Sequence, residues 1–128
     1  MVAIGVKSRF RPIWAAFLDL EFELVVSDEI LYEYEEILQQ HARSGIAGFV
    51  MEVFAESTNV IHPQVYYTWN AIKSDPDDNK FFDTAVAGNA DFIVTNDAHF
   101  NVLKHLPFPS VNVISANDFL GFIENSLI

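Results

Sequence analysis

Short apolar segments rich in strand-forming residues alternate along this chain with longer helical segments, and this alternation constrains the fold most strongly. The strand-like segments cover residues 22–26, 60–61, 92–95 and 111–114. They lack the alternation of apolar and polar residues that is typical of a strand with one solvent-exposed face. Strands that are buried on both faces and separated by helices form parallel sheets covered by helices. The sequence therefore predicts an α/β fold, a three-layer α/β/α sandwich around a parallel sheet.

Helical segments occupy the intervals between these strands. Residues 11–18 form the first, with Pro12 tolerated in its first turn, and residues 28–41 form the second behind an N-cap at Ser27. Further helical segments cover residues 46–55, 76–87, 98–104 and 116–127. Residues 66–72 fit neither pattern and stay unassigned.

Size and composition favour one domain over residues 1–128. Of these residues 51% are hydrophobic, which is enough to bury a core. No apolar run approaches the roughly 18 residues that indicate a membrane span. The apolar start, Met1–Val6, precedes Lys7, Arg9 and Arg11, which reverses the charge order of a secretory signal. We therefore expect a cytoplasmic protein without membrane association.

Charge and cysteine content exclude several kinds of site. The chain has 7 Lys and Arg against 18 Asp and Glu, a net charge of −11, which disfavours holding nucleic acid by bulk charge. The absence of cysteine excludes disulfides, thiolate zinc sites and cysteine nucleophiles. The four histidines have no spacing typical of a zinc site or a nucleophilic triad, and no Gly-rich phosphate loop is present. Carboxylates remain as the groups that could carry chemistry.

Two acids lie where the carboxyl edge of a parallel sheet is expected, which is the usual place of a site in such folds. Asp97 follows the strand over residues 92–95, and the alternative role, capping the next helix, is equally compatible with its position. Asp78 lies in the first turn of its helix on the face of Phe81 and Phe82. For Asp78 the alternative is an ordinary solvated helix start.

A third acid comes from the helix over residues 28–41. Glu33 and Glu35 lie on opposite edges of its apolar stripe, so periodicity does not choose between them, and a solvated acidic face is the alternative for both. Three segments that each bring an acid to one sheet edge suit a hard divalent cation, Mg²⁺ or Mn²⁺. Two such ions about 4 Å apart can hold a phosphodiester and activate water for in-line attack.

Three stretches of the chain together resemble the PIN-domain family. They are residues 27–34 (SDEILYEY), 75–81 (DPDDNKF) and 90–97 (ADFIVTND), and residues 114–120 (ISANDFL) also fit. The likeness is greatest to the branch of toxins from toxin–antitoxin pairs. It implies a three-layer α/β/α fold and metal-dependent cleavage of RNA by a cluster of about four acids.

The resemblance also implies roles for particular residues. Glu33 occupies the Glu-Tyr position of the family, which separates it from Glu35. The implied catalytic and metal-binding residues are Glu33, Asp78 and Asp97. The residues implied to orient a water or a ligand beside them are Thr95 and Asn96. The residues that could contact RNA phosphates, or simply be solvated, are Lys7, Arg9 and Arg11.

The sequence departs from the family pattern at its start. The family begins with a central strand that ends in an Asp, the first metal ligand, whereas Met1–Gly5 resembles the stretch after that motif. Three explanations are open. The true start of the protein could lie upstream of Met1, the domain could be a PIN scaffold that no longer cleaves RNA, or Met1–Val6 or a partner chain could fill the gap. We favour clipping, because a missing central strand leaves two buried strand edges unpaired. We expect weak or no nuclease activity from the chain as it stands.

Two functions follow from the resemblance. The first is a metal-dependent endoribonuclease, the toxin of a toxin–antitoxin pair, with RNA as substrate and an antitoxin protein as partner. The alternative is a non-catalytic module that binds RNA or an antitoxin-like protein through the same scaffold. Four aromatic residues exceed the needs of one small core and indicate a homodimer face: Trp14, Phe17, Phe49 and Phe54.

Overall fold

The fold consists of alternating helices and strands. The computed structural model describes residues 11–41 and 43–126. In chain order, its elements are α1 (Arg11–Leu18), β1 (Leu24–Val25), α2 (Asp28–His41), α3 (Ile46–Glu56), β2 (Val60–Ile61), α4 (Asn79–Ala87), β3 (Phe92–Val94), β4 (Asn112–Ile114) and α5 (Ala116–Ser126). Two 3₁₀ helices, Pro76–Asp78 and Ala98–His105, precede α4 and follow β3. The predicted α/β fold is confirmed.

The strands form two parallel ladders. β1 pairs with β2, with Leu24 opposite Val60, and β3 pairs with β4, with Ile93 opposite Val113. The predicted parallel pairing is therefore confirmed. Within residues 11–41 and 43–126, no strand joins the two ladders into one sheet.

Two hydrophobic clusters cover opposite faces of β3, because successive residues of a strand point to opposite sides. Val94 belongs to the larger cluster, whose buried members include Ile13, Val26, Phe54 and Phe119. Ile93 belongs to the smaller cluster, whose other buried members are Ile72, Phe82, Ala85, Phe100 and Leu103. β3 is thus buried on both faces, as the lack of polar alternation predicts.

The start of α2 places an acid at the rim of the larger cluster. The Ser27 Oγ accepts a hydrogen bond from the Ile30 N–H at 3.3 Å, which confirms the predicted N-cap. Ile30 is fully buried in the larger cluster, and Glu33, one turn further along, is half-buried. The cap and the buried apolar stripe together fix the rotation of α2, and with it the position of Glu33.

Most of the aromatic residues predicted for a homodimer face pack in the core instead. Phe17 and Phe54 are buried, and their rings meet edge to face with centroids 5.5 Å apart. Trp14 stacks on Phe17 at 5.6 Å. The assignment of Phe17 and Phe54 to a surface for dimer formation is therefore wrong, because α1 and α3 use both rings to pack against each other. Phe49 is exposed, and a homodimer stays a prediction.

One buried amide joins α1 to β1. The Asn59 side chain donates to the Phe17 carbonyl at 2.9 Å and to the Phe22 carbonyl at 3.0 Å. These carbonyls flank the turn between α1 and β1, while Asn59 directly precedes β2. The side chain therefore links three elements around the first ladder.

Among the described residues, no helix combines the length and apolarity needed to cross a bilayer.

Candidate metal centre

The segment before α4 presents two carboxylates. Asn79 holds it in place, because its Oδ1 accepts from the Ile72 N–H at 2.8 Å and its Nδ2 donates to the Ile72 carbonyl at 3.2 Å. Asp75 and Asp78 occupy the cap positions of the 3₁₀ helix and of α4, yet neither side chain makes a capping hydrogen bond. Helix capping therefore does not account for these two acids.

The turn after β3 brings a third carboxylate and an imidazole to the same place. The Asp97 Oδ1 accepts from the His99 N–H at 2.9 Å, so the capping role considered for Asp97 is real. The His99 Nδ1 lies 3.3 Å from the Asp97 Oδ1, 3.5 Å from the Asp75 Oδ2 and 3.7 Å from the Asp78 Oδ2. His99 therefore lies between the two acidic segments.

Thr95 and Asn96 fix this turn to the rest of the chain. The Thr95 Oγ1 accepts from the Asp97 N–H at 3.1 Å. The Asn96 Oδ1 accepts from the Ala116 N–H at 3.1 Å, at the first residue of α5. Both side-chain oxygens thus accept hydrogen bonds from backbone N–H groups, and these bonds hold the turn that carries Asp97. Their expected role in orienting a water or a ligand stays a prediction.

An ion pair with Lys80 links Glu33 to this region. The Lys80 Nζ lies 3.5 Å from the Glu33 Oε2, which links α2 to α4. The same ammonium lies 5.6 Å from the ring centroid of Phe81. Since Lys80 follows Asp78 by two residues, this cation lies beside the acidic segment that precedes α4.

The electrostatics of Asp78 show that the acids interact. Burial raises the pKa of the Asp78 carboxyl, the carboxylates of Asp75 and Asp97 raise it further, and Glu33 adds to this. His99 acts in the opposite direction. All three acids implied by the family resemblance, together with Asp75, therefore contribute to one negative region.

The donor set fits a divalent cation. Asp75, Asp78 and His99 each offer one ligand atom, and these atoms lie within 4.8 Å of one another. The Asp78 Oδ2 and the Glu33 Oε2 are buried and accept no hydrogen bond from any residue described. Buried carboxylate oxygens are costly unless a cation or a donor satisfies them. Oxygen ligands suit Mg²⁺ and Mn²⁺, whereas an imidazole nitrogen suits transition-metal ions better than it suits Mg²⁺.

The raised pKa of Asp78 predicts that the metal-free protein gains stability as the pH falls. A carboxyl group with a higher pKa in the folded than in the unfolded state binds its proton more tightly when folded, so its ionised form destabilises the fold. That penalty is fully present above the folded pKa. It is lost as the pH falls through the window between the folded pKa and the ordinary value of 3.8.

The check is the melting temperature of the metal-free protein from pH 7 to pH 4, compared with that of Asp78→Asn. The difference between the two proteins should shrink as the pH falls, since only the parent carries the titrating group. Parallel pH profiles would contradict the prediction.

Three residues of this region are not among the site residues predicted from the sequence. Asp75, His99 and Lys80 lie two or three residues from the selected acids, and sequence spacing alone gives no reason to prefer them over Asp77 or Asn79. Of the predicted RNA contacts, Lys7 and Arg9 lie outside the described residues. Arg11 is the first residue of α1, and its side chain lies outside them too.

The fold and this acidic region agree with the comparison against known families. The family profile described as PIN domain matches residues 2–99, which is 98 of the 128 residues. The chain therefore belongs to the PIN-domain family, whose fold is nuclease-like. Neither the curated proteins nor the solved structures contain a significant match to the chain.

Proposed function

We propose that this protein is a metal-dependent endoribonuclease of the PIN type and the toxin of a toxin–antitoxin pair. One observation carries the proposal: the acids of three separate segments meet around Asp78, whose buried Oδ2 accepts no hydrogen bond from any residue described. A purely structural acid would pair with a donor or face water. Membership of the PIN family supports the same reaction.

Glu33, Asp78 and Asp97 are the proposed catalytic and metal-binding residues, and Asp75 and His99 add donors beside them. When bound, Mg²⁺ or Mn²⁺ supplies Lewis-acid chemistry and an activated water. The protein contributes the position of each donor: Asn79 holds the segment that precedes α4, and Thr95 and Asn96 hold the turn that carries Asp97.

A bound cation also reconciles RNA with the acidic composition. The net charge of −11 repels a phosphate backbone, and four carboxylates at the site strengthen that repulsion locally. A divalent ion offsets part of that charge and presents a positive centre to the oxygens of a phosphodiester. We therefore propose RNA contact confined to the metal centre, and an antitoxin protein as the macromolecular partner.

The experiment is an RNA cleavage assay with single-stranded RNA of mixed sequence and added Mg²⁺ or Mn²⁺. We expect slow cleavage that requires the ion, is abolished by EDTA and by Asp78→Asn combined with Asp97→Asn, and persists in Asp77→Asn. Asp77 is the matched control because it is an exposed acid of the same segment. Cleavage that survives the double substitution would overturn the assignment.

The ion pair of Lys80 favours a second candidate, a non-catalytic module that binds RNA or an antitoxin-like protein. An ammonium 3.5 Å from the Glu33 Oε2 already neutralises one of the proposed metal ligands. Metal titration separates the two candidates. Mn²⁺ binding that is lost in Asp78→Asn combined with Asp97→Asn supports the enzyme. RNA or protein binding that does not depend on the ion supports the non-catalytic module.

A further inference from the structure

Three aromatic rings lie side by side on the surface, outside both hydrophobic clusters. Tyr67, Trp69 and Phe108 are 71%, 37% and 78% exposed. The ring centroid of Trp69 lies 5.9 Å from that of Tyr67 and 6.2 Å from that of Phe108. The planes are inclined by 46° in the first pair and by 90° in the second, so none of the three rings lies flat on another and their faces stay open. These three residues form the aromatic platform.

The backbone that carries Trp69 is fixed to α4. The Trp69 N–H donates to the Asp83 Oδ1 at 3.0 Å, and Asp83 is only 6% exposed. Three residues later, Ile72 shares two hydrogen bonds with the side chain of Asn79. Asn79 and Asp83 are one turn apart, so one face of α4 holds both ends of this stretch. The backbone of Trp69 is therefore held in place without a ligand, which lowers the entropic cost of binding one.

A cavity of about 600 Å³ lies between the aromatic platform and the metal centre. Thr68, which stands between two platform residues in the chain, lines it on one side. Lys80, the partner of Glu33 in the ion pair, lines it on the other. Asp83, which holds Trp69, also lines the cavity and lies only roughly 7 Å along the α4 axis from Asp78, at about 1.5 Å per residue. A nucleic acid strand of a few nucleotides can therefore reach from the metal centre to the platform.

The platform residues belong to two long stretches of the chain that contain no acid. Residues 57–74 and 98–117 include none of the 18 Asp and Glu, although the net charge of the chain is −11. They carry two exposed lysines, Lys73 and Lys104. A surface that binds a basic protein segment gains from acids, so their absence here favours a polyanion as the occupant. A phosphate backbone meets the least repulsion where acids are absent.

We propose that the aromatic platform stacks the unpaired bases of a single-stranded RNA whose backbone continues along the cavity to the metal centre. This inference rests on RNA binding, which the proposed nuclease requires and the non-catalytic module allows. Phosphates approach this acidic protein favourably at a bound cation, whereas the uncharged bases are free of that restriction. Every base has a π face, so stacking adds affinity with few of the phosphate contacts that the net charge opposes.

The test is a tryptophan fluorescence titration of the full chain with single-stranded RNA of mixed sequence, in EDTA to prevent ion-dependent cleavage. The chain has two tryptophans, and Trp14 packs against Phe17 and Phe54, so its emission serves as the background. We expect the RNA to quench Trp69, and the duplex form of the same RNA not to, because its bases already stack on one another. Trp69→Leu should leave only the background. Raising the salt from about 50 to 200 mM should weaken binding less than about tenfold, against about a thousandfold for a protein that makes six phosphate contacts.

Matched substitutions separate base stacking from plain apolar contact. Tyr67→Leu and Phe108→Leu keep an apolar side chain but remove the ring, so each should weaken RNA binding at least about fivefold. Tyr67→Phe keeps the ring and should stay within about twofold of the parent. The control is Tyr32→Leu, because Tyr32 is as exposed as Tyr67, at 72%, but lies on the acid-rich α2. Melting temperatures should stay near that of the parent in all four variants, since these positions are exposed.

Leucine variants that bind RNA as the parent does would overturn the proposal and leave the rings to a protein partner. Trp69 emission that ignores RNA but changes with protein concentration would overturn it too, because a second copy would then cover the rings. Cleavage assays separate this inference from the nuclease. Ion-dependent cleavage with the same KM in the parent and in Tyr67→Leu keeps the nuclease and removes the platform. Quenching of Trp69 by RNA in a chain that does not cleave with added Mn²⁺ keeps the platform and supports the non-catalytic module.

Discussion

Replacing Asp78 by Asn is expected to weaken Mn²⁺ binding at least about a hundredfold, since changes to residues that merely support a ligand already cost up to that factor. The same substitution should raise the melting temperature of the metal-free protein at pH 7. Burial and the neighbouring carboxylates of Asp75 and Asp97 disfavour the ionised Asp78, and an amide of equal size removes that charge. We expect this increase to be largest at pH 7 and to shrink toward pH 4, where the parent's carboxyl loses its charge.

The opposite signs of these two effects distinguish a binding site from a structural network. Isothermal titration with Mn²⁺ gives the affinity, and calorimetry without metal gives the melting temperature. Asp77→Asn is the control, because Asp77 is exposed and both values should stay near those of the parent. A variant that binds Mn²⁺ normally, or one that melts well below the parent, would remove Asp78 from the proposed centre.

Replacing Asn59 by Ala should have the largest effect on stability, a loss of about 2–4 kcal/mol. Its amide satisfies the carbonyls of Phe17 and Phe22, at 2.9 and 3.0 Å, and Asn59 itself is only 6% exposed. Alanine leaves both acceptors without this donor; the hydrogen bond to Phe17 is buried and the one to Phe22 is partly buried. The melting temperature should fall by about 10 °C, on the usual relation between stability and melting temperature for a chain of this length.

The matched control is Asn101→Ala at an exposed position, where the change should stay within about 0.5 kcal/mol. Urea unfolding of both variants provides the free energies. Equal losses at positions 59 and 101 would show that Asn59 does not join α1 to the first ladder.

The helices and strands themselves could be predicted locally. Pro12 at the start of α1, the Ser27 cap of α2 and the apolar run before Thr95 each depend on neighbouring residues, so the sequence alone locates them. The same local logic makes Asp78 and Asp97 candidates for the carboxyl edge, beside a solvated helix start and a helix cap as the alternatives. The choice between Glu33 and Glu35 needed family resemblance, since both edges of a helical stripe are equivalent in periodicity.

Other features depend on contacts between distant segments. His99 approaches Asp75 because the turn after β3 meets the segment before α4, and Lys80 reaches Glu33 because α4 packs beside α2. Phe17 and Phe54 are core residues because α1 and α3 meet, although their spacing is equally compatible with a surface.

The sequence by itself determined the α/β class and the order of its elements, because both follow from local propensity and hydrophobic period, and it left the roles of Asp78 and Asp97 open. Only the tertiary structure decided which carboxylates interact, which histidine joins them and how the strands divide into two ladders. Those properties depend on distances between segments remote in the chain, and no local pattern encodes such distances.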